Sequence, residues 1–112
     1  MIKVSDCEEL VLSRIWNNEE NGGEPYDLRC TMDTINERFK KGWKPQTVST
    51  FLARLIKKGF LSSFRKGRYS YYNSEISKKE YIEYSLKEMA DRFCEGDIEK
   101  LAEYFDGIRE KK

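Results

Sequence analysis

Apolar residues recur at helical spacing over residues 45–58, and this pattern predicts one amphipathic helix. Pro45 suits the first helical position, because the N–H that proline lacks has no partner there, and Gly59 suits the left-handed residue that ends a helix. The apolar positions that share one side are Val48, Leu52, Leu55 and Ile56. The opposite side carries short polar side chains at its N-terminal end, cations further along and no carboxylate. This distribution favours a helix that enters the major groove of DNA, where short side chains reach base edges and cations reach phosphates.

The pattern changes after Gly59, where aromatic residues partly alternate on both sides of the basic turn Arg65-Lys66-Gly67-Arg68. The flanking apolar positions are Phe60, Leu61, Phe64, Tyr69, Tyr71 and Tyr72. This pattern predicts a β-hairpin over residues 60–73. A basic hairpin tip seen alone is more often an ordinary solvated turn. Because this basic hairpin directly follows a helix of the recognition type, we interpret it as a wing that lies along the phosphate backbone.

A first helix is predicted near the N-terminus. Ser5 and Glu8 have the spacing of a capping box, which starts a helix that runs to about Trp16. The apolar side of this helix is formed by Cys7, Val11, Leu12, Ile15 and Trp16. The segment 17–24 is polar and contains glycine, so it is predicted to be a loop.

A second helix is predicted over residues 28 to about 39, with Asp27 as its N-cap. Its apolar positions are Leu28, Met32, Ile35 and Phe39, and they favour the core. The turn 40–43 joins this helix to the one that begins at Pro45. Helix, helix, turn, recognition helix and wing together form a winged helix-turn-helix domain, predicted to span residues 1–74.

Two further amphipathic helices are predicted within residues 75–112. Ser77 and Glu80 form a second capping box, Gly96 ends the helix that follows, and Asp97 caps the next one. Their apolar faces carry Ile82, Leu86, Met89, Ala90 and Phe93, then Ile98, Leu101, Ala102, Phe105 and Ile108. Two helices are too few to bury these faces, so a homodimer is predicted, which would place two recognition helices on a palindromic site. The alternative is that both helices pack back on their own winged-helix domain.

The charge distribution supports a nucleic-acid partner, although the formal net charge of the 112-residue chain is only +1. Residues 1–37 contain three Lys or Arg and nine Asp or Glu, and residues 75–112 contain eight and eleven. Residues 38–74 contain ten Lys or Arg and not one carboxylate. Such a block within an otherwise acidic chain predicts one basic face.

Several classes of site find no support in the sequence. The three cysteines, Cys7, Cys30 and Cys94, lie far apart, and there is no histidine, so no metal or other cofactor is expected. We interpret the cysteines as small core residues and expect a reducing cytoplasm, since no signal peptide is visible. A weaker hypothesis places Cys94 at the dimer interface as an oxidation-sensitive group. No apolar run is long enough to cross a bilayer, so no membrane partner is expected.

The run GWKPQTVSTFLARLIKKGF at residues 42–60, with the wing that ends in Tyr71-Tyr72, resembles the BlaI/MecI family of penicillinase repressors. Ile15-Trp16 and the run FCEGD at residues 93–97 also fit, and the likeness covers nearly the whole chain. The resemblance implies a winged-helix domain, C-terminal dimerisation helices, and repression in the bacterial cytoplasm through a palindromic double-stranded DNA operator. Members of the family usually carry a further C-terminal helix, so the dimer is expected to be weaker or differently packed.

The site residues follow from these interpretations and from the resemblance. The expected base contacts are Gln46, Thr47, Ser49 and Thr50, and the expected backbone contacts are Lys44, Arg54, Lys57, Arg65, Lys66 and Arg68. The expected dimerisation residues are Ile82, Leu86, Met89, Phe93, Leu101, Phe105 and Ile108. In resistance regulators of the family a sensor protease cuts an Asn-Phe bond, and the corresponding position here is Tyr104-Phe105. The inducing signal and any regulatory protease therefore stay open.

The leading hypothesis is a dimeric transcriptional repressor without enzymatic activity. The alternative is a winged-helix protein-interaction module whose basic face binds acidic proteins, which predicts no sequence preference for DNA. An enzyme is the weakest hypothesis, because the chain has no histidine, no glycine-rich phosphate loop and no carboxylate within the basic block.

Overall fold

The computed structural model describes residues 1–111, which contain five α-helices and a small antiparallel sheet. The elements in chain order are α1 (Asp6–Glu20), β1 (Tyr26–Asp27), α2 (Leu28–Phe39), α3 (Pro45–Lys57), β2 (Leu61–Lys66), β3 (Tyr69–Ser74), α4 (Lys78–Phe93) and α5 (Ile98–Glu110). The chain divides into two compact units, and the second begins at Lys78. The predicted fold class, mainly α with a small β wing and C-terminal helices, is confirmed.

The first helix begins as predicted but ends later. The Ser5 hydroxyl accepts a hydrogen bond from the Glu8 backbone at 3.2 Å, and the Glu8 carboxylate accepts one from the Ser5 N–H at 2.8 Å. The helix then runs to Glu20, so the predicted loop 17–24 is wrong over its first half. The last turn of α1 contains no apolar residue, and a polar contact holds it instead. The Glu19 carboxylate accepts hydrogen bonds from the N–H and the hydroxyl of Ser74, which lies at the end of the wing.

The core of the first unit lies where α1, α2 and α3 pack against one another and against the base of the sheet. Its fully buried side chains include Val11, Leu12, Ile15, Ile35, Val48, Leu52, Leu55 and Phe60. Trp16 is also buried, and its indole N–H donates to the Ile76 carbonyl at 2.9 Å, which ties the end of the wing to α1. The prediction that Cys7 and Ile56 lie in the core is wrong: both are exposed, because they lie at the edges of their helical stripes.

Glu8 takes the inward position instead, with only 1% of its surface exposed. Its Oε1 atom accepts hydrogen bonds from the Ser5 N–H and from Lys58 Nζ, the latter at 2.7 Å. Lys58 Nζ also donates to the Lys3 carbonyl at 2.9 Å. This pair therefore joins the N-terminal arm, α1 and the C-terminal end of α3. Lys58 was counted in the predicted basic face, but the structure places its ammonium group in this internal ion pair.

We expect the Glu8 ion pair to make stability depend on pH. Burial raises the pKa of Glu8, but hydrogen bonds from Lys58 and Ser5 and the charge of Lys58 outweigh burial, so the pKa lies below its ordinary value of 4.5. The ionised group therefore stabilises the fold at higher pH, and this contribution is lost as pH falls through the lowered pKa. Urea unfolding should show a constant free-energy difference between the unmodified protein and Glu8→Gln near pH 7, and a shrinking one below about pH 4.5. A difference that grows on acidification would contradict this assignment.

The sheet is three-stranded, with the order β1-β3-β2 and antiparallel pairing throughout. The β2–β3 hairpin pairs Leu61 with Ser74 at its base and Lys66 with Tyr69 at its tip. Strand β1 was not predicted, because two residues are too short to show alternation. It pairs Tyr26 with Tyr72, and it ends at Asp27, which caps α2 by accepting from the Cys30 N–H at 2.8 Å.

The second unit consists of α4 and α5, which pack against each other around a small core. Ala90, Cys94 and Leu101 are buried there, and Leu86 packs beside them. The reversal between the helices uses two left-handed residues, Glu95 and Gly96, and Asp97 then caps α5 as predicted. The other large apolar residues that were predicted to face inward are exposed, so the packing of α4 on α5 covers only part of the predicted inward faces within residues 78–111.

Candidate nucleic-acid interface and helical groove

The recognition helix presents its polar face to solvent. Gln46, Ser49 and Thr50 are exposed and Thr47 is half-buried, so all four predicted base-contact residues lie at or near the surface of α3. The Thr50 hydroxyl donates to the Gln46 carbonyl at 3.0 Å. Its hydrogen is thus committed to the helix, and Thr50 is left with an acceptor oxygen and a methyl group with which to contact a base.

The N-terminal end of α3 has features suited to a phosphate. Pro45 stands at the first helical position, and the N-cap residue Lys44 makes no side-chain hydrogen bond to the first turn. The first turn contains no carboxylate, whereas α1 has three there. Uncapped backbone N–H groups and the positive end of the helix dipole attract anions. A phosphate at this end would supply the cap that the protein itself does not.

The six predicted backbone-contact cations are exposed, and within residues 1–111 none of them forms an ion pair. They are Lys44, Arg54, Lys57, Arg65, Lys66 and Arg68. The guanidinium of Arg54 lies over the Phe51 ring at 5.8 Å from its centroid, which restricts its orientation on the helix surface. Exposed cations without carboxylate partners are available to phosphates.

Lys40 and Lys41 extend this set, although the sequence analysis did not select them as contacts. Both are exposed in the turn between α2 and α3, and neither forms an ion pair in the described part of the chain. Lys40 has a positive φ of 55°, which turns the chain at the end of α2. Their position directly before the recognition helix was the signal that could have identified them.

The wing holds its cations at the end of a two-stranded hairpin. The tip is a two-residue turn in which Gly67 has a φ of 68°, a conformation that favours glycine. Below it the rings of Phe64 and Tyr71 stack with centroids 5.7 Å apart, and both face each other across the strand pair. The structure therefore places Arg65, Lys66 and Arg68 at the exposed end of the wing, as predicted.

The helices of the second unit form an apolar groove of about 360 Å³. It is lined by Met89, Phe93, Cys94, Leu101, Tyr104, Phe105 and Ile108. Five of the seven predicted dimerisation residues therefore meet at one place. Ile82 and Leu86 do not line the groove, since Ile82 is exposed elsewhere on α4 and Leu86 packs in the small core. Tyr104 was not predicted to lie here, although its spacing of three residues from Leu101 was a usable signal, and Cys94 was placed at the dimer interface only by the weaker hypothesis.

The cysteines occupy different environments. Cys94 is buried as predicted, but Cys7 and Cys30 are exposed, so their interpretation as core residues is wrong. Partial desolvation, then the hydrogen bond and charge of Asp27, raise the pKa of the Cys30 thiol and disfavour the reactive thiolate. Among residues 1–111 no group of three or more Cys, Asp or Glu side chains is arranged to hold a metal ion. No helix in that range has the length and apolar character to cross a membrane.

Comparison with known proteins places this architecture among characterised repressors. The family model described as penicillinase repressor matches residues 4–106. The penicillinase repressor of Bacillus licheniformis is 32% identical over 100 residues, which are 88% of this chain and 72% of that protein. The solution structure of the DNA-binding domain of the repressor BlaI aligns with a TM-score of 0.57 at 29% identity, over 70% of this chain and 88% of that one. The solution structure of monomeric B. licheniformis BlaI with the blaP half-operator aligns with a TM-score of 0.49 at 33% identity, over 71% and 89%.

The family match extends beyond the winged helix. Residues 4–106 include α1 to α4 and most of α5, so both units of the chain are covered. Transcriptional repression, and not enzymatic activity, is the function of this family, in agreement with the sequence analysis. The chain belongs to the penicillinase repressor (BlaI/MecI) family of winged-helix transcriptional regulators.

Proposed function

We propose that this protein represses transcription as a homodimer that binds a palindromic DNA operator through residues 45–58 and the wing at residues 60–73. The observation that carries the proposal is the surface of α3, which combines short polar side chains at an uncapped N-terminal end with exposed cations that have no carboxylate partner in residues 1–111. Family membership supports the same conclusion. Repression would follow from occlusion of the promoter in the bacterial cytoplasm.

The two kinds of contact have different roles in this proposal. Cations at Lys44, Arg54, Lys57 and the wing bind phosphates and set the register of the domain on the duplex. Gln46, Thr47, Ser49 and Thr50 then meet base edges in the major groove. Because the phosphate contacts are independent of sequence, they supply affinity for all DNA, whereas the short polar side chains supply the preference for the operator.

The proposed dimer interface is the groove between α4 and α5. Its lining residues include Phe93 and Ile108, which are 72% and 59% exposed. A contiguous apolar patch of this kind is unusual on a monomer and is typical of an interaction surface. A two-fold interface would bury the same patch on both subunits and present two recognition helices to two half-sites.

The test is a selection of binding sites from a pool of random duplexes with the full chain, followed by titration of the selected site and a scrambled duplex at low and physiological salt. We expect a palindromic consensus, and binding tighter than to scrambled DNA by about a thousandfold or more. Weak, equal binding that disappears with added salt would contradict the proposal. It would favour the alternative of a protein-interaction module.

Substitutions on α3 should separate the two kinds of contact. Arg54→Ala should weaken operator and scrambled DNA by a similar factor and reduce the salt dependence of binding. Thr47→Ala or Gln46→Ala should weaken operator binding by about 1–3 kcal/mol and leave scrambled DNA nearly unchanged. Fluorescence anisotropy with both duplexes measures these factors. Equal effects of the two kinds of variant on both duplexes would contradict the division of roles.

A further inference from the structure

The side chain of Asn36 closes the turn that leads into the recognition helix. Its Nδ2 atom donates to the Trp43 carbonyl at 3.0 Å, and its Oδ1 atom accepts from the Trp43 N–H at 2.9 Å. The Asn36 backbone carbonyl also accepts from the N–H groups of Lys40 and Lys41. One residue of α2 thus holds both ends of the turn, and its amide binds Trp43 as a neighbouring strand would.

Trp43 continues this connection to α3. Its ring lies 5.2 Å from the Phe51 ring, centroid to centroid, with the two planes tilted by 41°. The guanidinium of Arg54 in turn lies over the Phe51 ring. Offset and tilted aromatic pairs of this kind contribute beyond the area that they bury. The Asn36 amide, the Trp43 ring and the Phe51 ring therefore form a continuous path from α2 to the outer face of the recognition helix.

The buried core of the first unit does not reach the N-terminal end of α3. Val48 is the first buried residue of the helix, and Lys44, Pro45 and Gln46 before it are exposed. The helix has no side-chain N-cap either. Trp43 is the large apolar residue nearest to this end, and Asn36 fixes its backbone on both sides.

We propose that Asn36 is a positioning residue for DNA reading, and this inference rests on the proposed function. Its amide holds the first turn of α3 in place through Trp43, so Gln46 and Thr47 meet base edges in one fixed orientation. A small rotation of this turn would move their short side chains out of hydrogen-bond reach, whereas long and flexible lysine and arginine side chains would still reach phosphates. Loss of the clamp should therefore reduce discrimination between sequences more than it reduces affinity for DNA in general.

The first experiment compares Asn36→Ala with the unmodified full chain on the selected operator and on a scrambled duplex. We expect operator affinity to fall by about tenfold and scrambled-duplex affinity to stay within about twofold, because a good contact to a base discriminates by roughly this factor. Asn18→Ala is the matched control, since the Asn18 amide also binds a loop carbonyl, that of Glu24 at 2.7 Å, but this loop does not lead into α3. It should leave discrimination unchanged. Equal discrimination by Asn36→Ala and the unmodified protein would overturn the inference.

A double-mutant cycle tests whether Asn36 acts through Trp43. Trp43→Ala removes the ring contact with Phe51 and keeps both backbone hydrogen bonds, and it should also reduce discrimination. If both residues lie on one path, the losses of the two single variants should not add in the double variant. Additive losses would mean that Asn36 acts independently of Trp43, which would overturn the inference. If Asn36→Ala does not fold, the pair Trp43→Phe and Trp43→Ala decides, since only the second should lose discrimination.

Amide hydrogen exchange on the unmodified protein separates this inference from the proposed function. The Trp43 N–H should be protected in the absence of DNA, because the Asn36 side chain accepts its hydrogen bond, and the neighbouring Gly42 N–H should exchange faster. Rapid exchange at Trp43 would overturn the clamp. An unmodified protein that does not discriminate between operator and scrambled DNA would instead refute the proposed function, whatever the exchange at Trp43.

Discussion

The Phe105→Asp variant is expected to be a monomer at concentrations at which the unmodified protein is a dimer. Its affinity for the palindromic operator should fall by about a hundredfold or more, because the two recognition helices lose the advantage of linked binding. Affinity for an isolated half-site should change little, since Phe105 lies in the second unit and α3 in the first. The result would tie the apolar groove to operator recognition.

The size of this effect follows from the position of Phe105. Its side chain lines the groove and is 48% exposed in the single chain, beside Phe93 and Ile108, which are more exposed still. A two-fold interface contains each of these residues once in each subunit. Full burial of a phenylalanine side chain contributes about 1.5–3 kcal/mol per copy. An unpaired carboxylate at the same place costs several kcal/mol to bury in each subunit. Together these terms are comparable to the roughly 8–12 kcal/mol that corresponds to micromolar to nanomolar association.

The matched control is Phe105→Leu, which keeps an apolar side chain in the groove. It should remain dimeric and retain most of its operator affinity. Size-exclusion chromatography with light scattering measures the assembly state, and anisotropy titration measures binding to the full operator and to a half-site. A dimeric Phe105→Asp variant would show that the subunits meet elsewhere. A monomeric unmodified protein that still binds the palindrome tightly would refute the proposed dimer itself.

The recognition helix was predictable because several local signals agree on it. Proline at its first position, glycine after its end and a stripe of apolar residues at helical spacing all indicate one helix, and the structure has it at Pro45–Lys57. Val48, Leu52 and Leu55 are buried as the stripe predicts. The hairpin was predictable in the same way, because the alternating aromatic residues and the glycine turn both indicate it. Both elements are specified by residues close in sequence.

Features that depend on tertiary contacts were not predictable in this way. Helix α1 extends to Glu20 because Glu19 binds Ser74 on the wing, a partner 55 residues away in sequence. Strand β1 exists because β3 offers an edge to Tyr26 and Asp27, and two residues carry no periodicity of their own. The inward position of Glu8 was not predictable either, because it depends on a tertiary contact with Lys58 at the end of another helix.

The candidate site shows the same division. The predicted DNA-contact residues are exposed or half-buried on α3 and the wing, because a surface that binds phosphate must be rich in cations and poor in carboxylates, and composition reveals that. Composition could not show that Lys58 leaves this surface for an internal ion pair, or that Asn36 clamps Trp43. An asparagine within a helix has no distinctive sequence signal, and only the geometry of the turn shows its partner. The contacts themselves stay predictions until DNA binding is measured.

The Lys58→Met variant is expected to lose about 3 kcal/mol of unfolding free energy, because removal of one partner leaves the other charge buried and unpaired. Glu8 is 1% exposed, and its Oε2 atom already lacks a hydrogen-bond partner in the described residues, so it has no access to water that could replace the ammonium group. The side chain of Lys58 is 25% exposed, so an ammonium group that has lost the Glu8 carboxylate can still be hydrated, and loss of the carboxylate costs less stability. Glu8→Gln should cost only about 1 kcal/mol, since an amide oxygen can still accept from the Ser5 N–H.

The double variant Glu8→Gln, Lys58→Met gives the sharpest test, because it should be more stable than Lys58→Met alone. Removing the carboxylate removes the unpaired buried charge that makes the single variant unstable, and the methionine stem still covers the apolar surface beside it. Urea unfolding of the unmodified protein, the two single variants and the double variant at neutral pH measures the coupling free energy between Glu8 and Lys58. The comparison requires that the unfolding free energy depends on urea concentration with the same slope in all four proteins. Strictly additive losses would mean that Glu8 and Lys58 stabilise the fold independently. A Lys58→Met variant as stable as the unmodified protein would mean that the ion pair contributes nothing measurable to holding the N-terminal arm, α1 and α3 together.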